Sequence, residues 1–325
     1  MRYREFPPIM FSHHRQQENF ISSTLTTRNI YNGVATRLRP EYRNICAVDR
    51  GENLMGHAHA AISLEKDTPE LADTYEEASV VQFDHGKILI DALRIGPGER
   101  VLDIGSGTGR LAQYVAGIVA PTGEVFGIDP LGYRVAIAQS RASTGLSFSV
   151  GRAEDLSKFA DGQFDVVYLN SVFHWIEDKP RVLREIFRVL KAGGRIGLNT
   201  QDPSKPHQSR LLVRAALARA GVQVDGAVHP SLGVDGETLE ALVTAAGFNG
   251  YRGELRTLVD FHADAETLIR WSASSSFGNF LFGLSDTEQG HVRAMLAELL
   301  EDKRTPKGIR VERYLHFATA QKPLA

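Results

Sequence analysis

Val101-Leu102-Asp103-Ile104-Gly105-Ser106-Gly107-Thr108-Gly109 decides the fold. Its first four residues, apolar apart from Asp103, read as a short strand buried on both faces of a parallel sheet. Three glycines spaced two apart then let the chain turn sharply and leave bare backbone against which a ligand can lie. The segment from about Arg110 to Val119 reads as a helix, so its N-terminus points at the same spot. In open α/β sheets that spot, outside the carboxyl ends of the strands where the strand order reverses, is where ligands bind.

Working outward, strands are expected at Val125–Ile128 (ended by Asp129), Leu146–Val150, Phe164–Leu169 and Arg195–Asn199. Helices are expected at His85–Leu93, Tyr133–Ala142 and Lys179–Leu190. Strands alternating with helices at this spacing mean βαβ units with right-handed crossovers. Beyond them the pattern predicts helices at Ser209–Ala220, Gly236–Ala246, Asp264–Ser274 and Asp286–Leu300, with strands at Gly250–Phe261 and Ile309–Ala320. The expected architecture is therefore α/β: a doubly wound, mostly parallel, seven-stranded Rossmann-like sheet. An N-terminal extension over residues 1–70 precedes a domain over 71–325. The stretch between the last two strands is far longer than a hairpin needs, so a helical lid insertion is expected at about 263–307.

A nicotinamide dinucleotide is the obvious rival ligand. Its fingerprint places a third glycine three positions after the second, to serve a pyrophosphate. Here that place holds Arg110, and the acidic Asp103 just before the turn suits a ligand with a positive ammonium group instead. Asp129, at the tip of the second strand, can accept bonds from both hydroxyls of a ribose; it can equally cap the following helix. Gly151-Arg152-Ala153-Glu154-Asp155-Leu156 offers backbone groups to an adenine edge, and Asp165-Val166-Val167-Tyr168-Leu169-Asn170 leads into Ser171-Val172-Phe173-His174-Trp175.

These four segments in this order resemble the class I S-adenosylmethionine-dependent methyltransferases, in the small-molecule (type 11) branch similar to the ubiquinone/menaquinone-biosynthesis enzymes. The likeness runs from about Thr74 to Asn199 and weakens toward the C-terminus. It implies S-adenosyl-L-methionine as cofactor, with Asp103 and the turn Gly105, Ser106 and Gly107 at its methionine part. Asp129 would take the ribose hydroxyls, with Pro130 beside the adenosine and Ala153 and Glu154 at the adenine. Asn170 would offer its backbone near the amino group. Tyr75, Gln82, Phe83, His85 and Gly86 would belong to an N-terminal segment folded over the cofactor.

The resemblance implies methyl transfer to a small-molecule acceptor, with the acceptor atom (C, O, N or S) open. The Asn/Asp-Pro-Pro-aromatic run of adenine-N6 and amide methylases is missing after Leu169, where Asn170-Ser171-Val172-Phe173 stands. Cys46 is the only cysteine, too few for the several that arsenite methylation uses and far in sequence from the nucleophile position of a cytosine-C5 enzyme. It also precludes an internal disulfide and a cysteine-based zinc site. His13 with His14, and His57 with His59, lack companions at ligand spacing, so no metal is expected.

Of the 325 residues, 42% are hydrophobic and 23% charged, and the formal net charge is −2. That balance gives no strong nucleic-acid signal, although an RNA or protein methylase, or a binding protein that kept the pocket and lost turnover, stays as an alternative. No apolar run approaches the roughly 20 residues of a membrane span. A cytoplasmic location is expected, with a mitochondrial one as alternative because Arg2, Arg4, Arg15, Arg28, Arg37, Arg39 and Arg43 recur without lysine in the first 45 or so residues. A homodimer, if one forms, is expected through that extension.

His174 is the candidate general base, since imidazole ordinarily titrates near neutrality; the alternative is that the His174-Trp175 pair packs against the cofactor. Trp271, Phe277, Phe280, Leu281 and Phe282 cluster irregularly among serines and glycines, which suits a mobile apolar lid over a hydrophobic acceptor, such as an aromatic or prenylated one, rather than core.

Overall fold

The structure, a computed structural model, describes residues 67–222, 232–274, 280–281 and 283–324. The expectations that fall on Cys46, on the histidine pairs and arginines of the N-terminal extension, and on Phe277 and Phe282 lie outside the described residues.

Thr68 opens the first helix, α1 (Pro69–Ala78), by accepting from the Leu71 amide, with proline at the helix start where its missing N–H is harmless. α2 (Val80–Leu93) buries His85, Gly86, Leu89, Ile90 and Leu93. There follow β1 (Arg100–Ile104), α3 (Arg110–Val119), β2 (Glu124–Asp129), α4 (Gly132–Gln139), β3 (Leu146–Val150) and β4 (Phe164–Leu169). A 3₁₀ turn, Phe173–Trp175, leads to α5 (Lys179–Val189), β5 (Leu190–Gln201), α6 (Gln208–Arg219), α7 (Gly236–Ala245) and β6 (Asn249–His262). The chain ends with α8 (Ala265–Ser274), α9 (Asp286–Glu301), a two-residue β7 (Arg304–Thr305) and β8 (Gly308–Gln321).

The strands lie in the order β3-β2-β1-β4-β5-β8-β6, with β7 joined only to β8. The first five run parallel, and β8 is antiparallel to both β5 and β6. The order reverses between β1 and β4, so the glycine turn after β1 and the Asn170 turn after β4 sit side by side. β5 starts at Leu190, inside the segment read as helix, because Leu190 pairs with Phe164 and a register shift between Phe164 and Val166 absorbs the glycines that follow.

Two apolar cores flank the sheet. One packs α2, α3 and α4 on its central strands through residues such as Leu89, Val115 and Val135. The other gathers α6, α8 and α9 over the start of β8, through Leu217, Leu268, Ile269, Leu296, Ile309 and Val311. The edge strand β6 carries its burial on unexpected residues: Asp260 and His262 turn inward, while Val259 and Phe261 are about two-fifths exposed.

Candidate functional site

The turn after β1 is built on backbone that favours glycine. Gly105 and Gly109 have φ of 76° and 84°. A Cβ on Gly105 would stand 2.2 Å from Val172 Cγ2, and one on Gly109 would stand 2.7 Å from Phe148 Cζ. The amides of Gly105 and Ser106 both donate to the Ile128 carbonyl, at 2.7 and 3.0 Å. The turn is thereby fastened to β2, and the carboxylates that end β1 and β2 come to flank it.

Asp129 is buried and spans the turn: Oδ2 accepts from the Gly107 amide and Oδ1 from the Leu131 amide, each at 2.9 Å. Burial raises its carboxyl above the usual range, against the pull of nearby Arg134 and of these two amides. Arg134 is buried too, 3.9 Å over the Tyr75 ring with Nε 3.6 Å from Asp67 Oδ1. Asp103 accepts from the Tyr168 hydroxyl at 2.8 Å, a contact set by their pairing in the β1–β4 register. Burial pushes the Asp103 carboxyl up to about 7, Tyr168 opposing and Asp129 adding to the rise. A carboxyl held near its ionisation point against bare backbone has a natural counterpart in a buried ammonium group.

A cavity of about 250 Å³ opens above the turn. Tyr75, Gly105, Gly107, Asp129, Pro130, Ala153, Glu154 and Asn170 all line it, so the structure brings these expected cofactor residues to one place. Asp103 and Ser106 line an adjoining space of about 50 Å³ that shares Tyr75, Gln82, Gly105, Gly107 and Asn170 as walls. Ser106 Oγ is buried there without a hydrogen-bond partner among the described residues. Asn170 is fixed by its side chain, which donates to the Gln82 carbonyl at 3.0 Å and accepts from Asn199 at 2.7 Å.

The far end of the cavity draws on residues that sequence reasoning missed. His207 and Arg210 come from the start of α6, Gln201 from the end of β5, and Arg313 from β8. The His207 ring nitrogen Nδ1 accepts from the Tyr314 amide at 3.2 Å. Burial holds its pKa well below the ordinary value, so the neutral ring carries its proton on Nε2. Arg313 is a buried cation within an inward-facing row of Ile309, Val311, Leu315 and Phe317, and that break in an apolar alternation was the available signal. For His207 and Arg210, at the head of an ordinary amphipathic helix, no sequence signal existed.

His174 lines the same cavity, but the premise that its ring titrates near neutrality does not hold. Burial, with Lys179, Arg210 and Arg313 nearby, pushes it down to about 3, and its Nδ1 is buried without a partner among the described residues. The aromatic insertion also needs correction. Trp271 lines the cavity and is held by Gln82, whose Oε1 accepts from its Nε1 at 3.1 Å. Phe280 is 1% exposed and packs, with Leu281, into the core beneath α6, α8 and α9. It is cavity wall and core at once, because α9 buries its apolar face on α6 while α8 packs between α9 and α1.

Known proteins resemble this chain. A methyltransferase domain profile matches residues 102–198. The chain is 34% identical over 168 residues to the 2-phytyl-1,4-naphtoquinone methyltransferase of Synechococcus elongatus, covering 47% of this chain and 72% of that protein. The chain belongs to the class I S-adenosylmethionine-dependent methyltransferases, in their type 11 branch. The chain is also 35% identical over 138 residues to an arsenite methyltransferase of Aquipseudomonas alcaligenes, covering 39% of each chain; it thus spans well under two thirds of that relative. The YcgJ protein of a Bacillus species has the same fold, with a TM-score of 0.51 at 20% identity, covering 74% of this chain and all of that one. Among the described residues no helix is long and apolar enough to cross a membrane, and no group of three metal-ligating side chains converges.

Proposed function

We propose that this methyltransferase transfers the methyl group of S-adenosylmethionine to a small-molecule acceptor held at the far end of the cavity. One observation carries the reading: a glycine turn at the switch point of the sheet lies between two buried carboxylates, and one cavity runs from that turn into a pocket walled by other elements. When bound, the cofactor supplies a sulfonium methyl group, an electrophile that needs mainly an aligned nucleophile.

The residues fit that cofactor. Asp103, poised to ionise, would pair with its ammonium group, and the orphaned Ser106 hydroxyl sits beside the same space. Asp129 keeps lone pairs free for ribose hydroxyls beyond the two amides it already serves. Pro130, Ala153 and Glu154 would border the adenine, and Tyr75, stacked under Arg134, would close the turn from α1. His174 would act as an uncharged polar wall, so the acceptor brings its own nucleophile. A single cysteine disfavours arsenite as that acceptor.

The test is calorimetric. S-adenosylhomocysteine should bind at micromolar level and raise the melting temperature with the logarithm of its concentration. NADH binding without S-adenosyl binding would overturn the reading, as would an unchanged S-adenosylhomocysteine affinity in the Asp129→Ala variant. Incubation with labelled S-adenosylmethionine and a metabolite extract, followed by mass spectrometry, would then identify the acceptor.

A further inference from the structure

We propose that the acceptor carries an anionic oxygen group, a carboxylate or a phosphate ester, on an apolar body, and that Arg210 and Arg313 hold that group. The proposal rests on the methyl-transfer reading above and names the substrate class of that site.

The cavity's acidic linings among the described residues, Asp129 and Glu154, stand at the end assigned to the cofactor, where Arg134 and Arg152 accompany them. The charged linings at the other end, again among the described residues, are Arg210 and Arg313. Beside them His207 presents a neutral ring whose proton is on Nε2, so it adds a donor and no negative charge.

Arg313 is the decisive group. It is buried, with its guanidinium 4.4 Å from the Trp271 ring centre. Nε donates to Asp260 Oδ2 at 3.0 Å and Nη2 stands 2.8 Å from the same oxygen, so Asp260 holds the fork from behind. Nη1 makes no hydrogen bond among the described residues, although the side chain lines the cavity. A buried guanidinium with a donor to spare is expensive unless an acceptor reaches it. The planar fork matches a carboxylate or phosphate better than any neutral oxygen. In a water-poor cavity the attraction is also stronger than at a surface.

The rest of the wall selects the body of the molecule. Val213, Phe280 and Leu315 are apolar, and Trp271 presents its face. An anionic head with an aromatic or aliphatic body satisfies both surfaces, whereas a neutral quinone-like acceptor offers the guanidinium only uncharged oxygens, without the charge or the paired geometry of a carboxylate. Arg210, Arg313 and His207 all lie outside residues 102–198, so this end of the cavity belongs to the part of the chain beyond the shared domain profile.

The test uses matched ligands on full-length protein saturated with S-adenosylhomocysteine, whose own affinity is measured first. The pairs are indole-3-acetate with indole-3-acetamide, octanoate with octanol, and phenyl phosphate with phenol. Calorimetry and thermal shift should show the anionic member of at least one pair binding tenfold or more tightly than its neutral mate in low salt. The preference should shrink as ionic strength rises. The carboxylate and phosphate arms tell which head group is meant.

Arg210→Gln should reduce the preference while leaving S-adenosylhomocysteine affinity within twofold. Arg313→Gln is paired with the double variant Arg313→Gln/Asp260→Asn, which removes the buried ion pair as a unit and keeps a folded protein in hand. Equal binding of both members throughout, no binding of any member, or a preference untouched by the arginine variants would overturn the proposal. Failure of S-adenosylhomocysteine to bind at all would instead strike the methyl-transfer reading, a separate and earlier result.

Discussion

Arg313 and Asp260 meet diagonally across the antiparallel strands β8 and β6, where Asp260 pairs in register with Val311 and Arg313 with Leu258. Both are buried, and His85 Nε2 stands 3.2 Å from the second carboxylate oxygen. Burial pushes the Asp260 carboxyl up, yet His85 and Arg313 outweigh it and hold the group below its usual range. A depressed carboxyl contributes stability that is complete above its unfolded value, near 3.9, and is lost as pH falls through the lower folded value. Asp260→Asn leaves a buried guanidinium uncompensated and should cost about 3–5 kcal/mol. The expected result is a lower urea midpoint with an unchanged slope, largely recovered in Asp260→Asn/Arg313→Gln. Strict additivity of the two single changes would show that the pair is not coupled.

Asp103 should make cofactor affinity depend on pH. Its folded value of about 7 lies above the ordinary 3.8. Between the two the folded state holds more protons than the unfolded one, so the stability of the ligand-free protein should fall as pH rises through that window. An ammonium group placed beside Asp103 favours the ionised carboxylate. S-adenosylhomocysteine should therefore bind more tightly as pH rises toward 7, and binding at pH 6 should release a proton, visible as a buffer-dependent heat. Asp103→Asn should abolish the proton release and weaken binding by roughly 1.5–3 kcal/mol. Affinity that stays constant from pH 5.5 to 8 in the parent protein would place the ammonium elsewhere.

The turn and strand ends of the candidate site were legible because their placement rests on short-range rules. Gly105, Gly107 and Gly109 announce a turn, Asp103 and Asp129 end strands that period and length define, and a parallel sheet brings neighbouring strand ends together. The far end of the cavity was not legible, because it depends on which distant elements pack over those ends. Arg313 pairs with a residue 53 positions earlier, and His207 meets a backbone amide 107 positions later. β6 shows the limit most clearly. A period-two reading leaves either face free to turn inward, and apolarity argues for Val259 and Phe261. The ion pair with Arg313 and the contact of His262 with Trp271 turn Asp260 and His262 inward instead.

Phe280 tests whether the insertion is fixed structure. It belongs to the same apolar core as Leu217, Leu268 and Leu296, and it also lines the cavity. Phe280→Ala should therefore lower global stability by about 3–5 kcal/mol, the cost of an unfilled core position. Amides in α8 and α9 should exchange hydrogen with energies that fall in step with that global loss. Stability changed by a few tenths of a kcal/mol, with fast exchange confined to these helices, would restore a mobile cover. Cofactor affinity should hardly change, since Phe280 belongs to the far end of the cavity.

His174 provides the sharpest test of how protons are handled. Burial first, then Lys179, Arg210 and Arg313, push its ring down to about 3. Because the folded value lies below the unfolded one near 6.5, the unfolded chain takes up a proton that the folded protein refuses. This group should therefore cost stability progressively as pH falls from 6.5 toward 3, and contribute nothing to the pH dependence above 7. In ¹³C-histidine-labelled protein the His174 ring resonance should stay at its neutral position from pH 8 to pH 5. His174→Phe removes the orphaned Nδ1 and the titrating ring with little change of shape, so it should stabilise the protein more at pH 5 than at pH 8. A ring that titrates between 6 and 7, with the stability of His174→Phe independent of pH, would return His174 to the role of general base and make the nucleophile's proton the enzyme's concern.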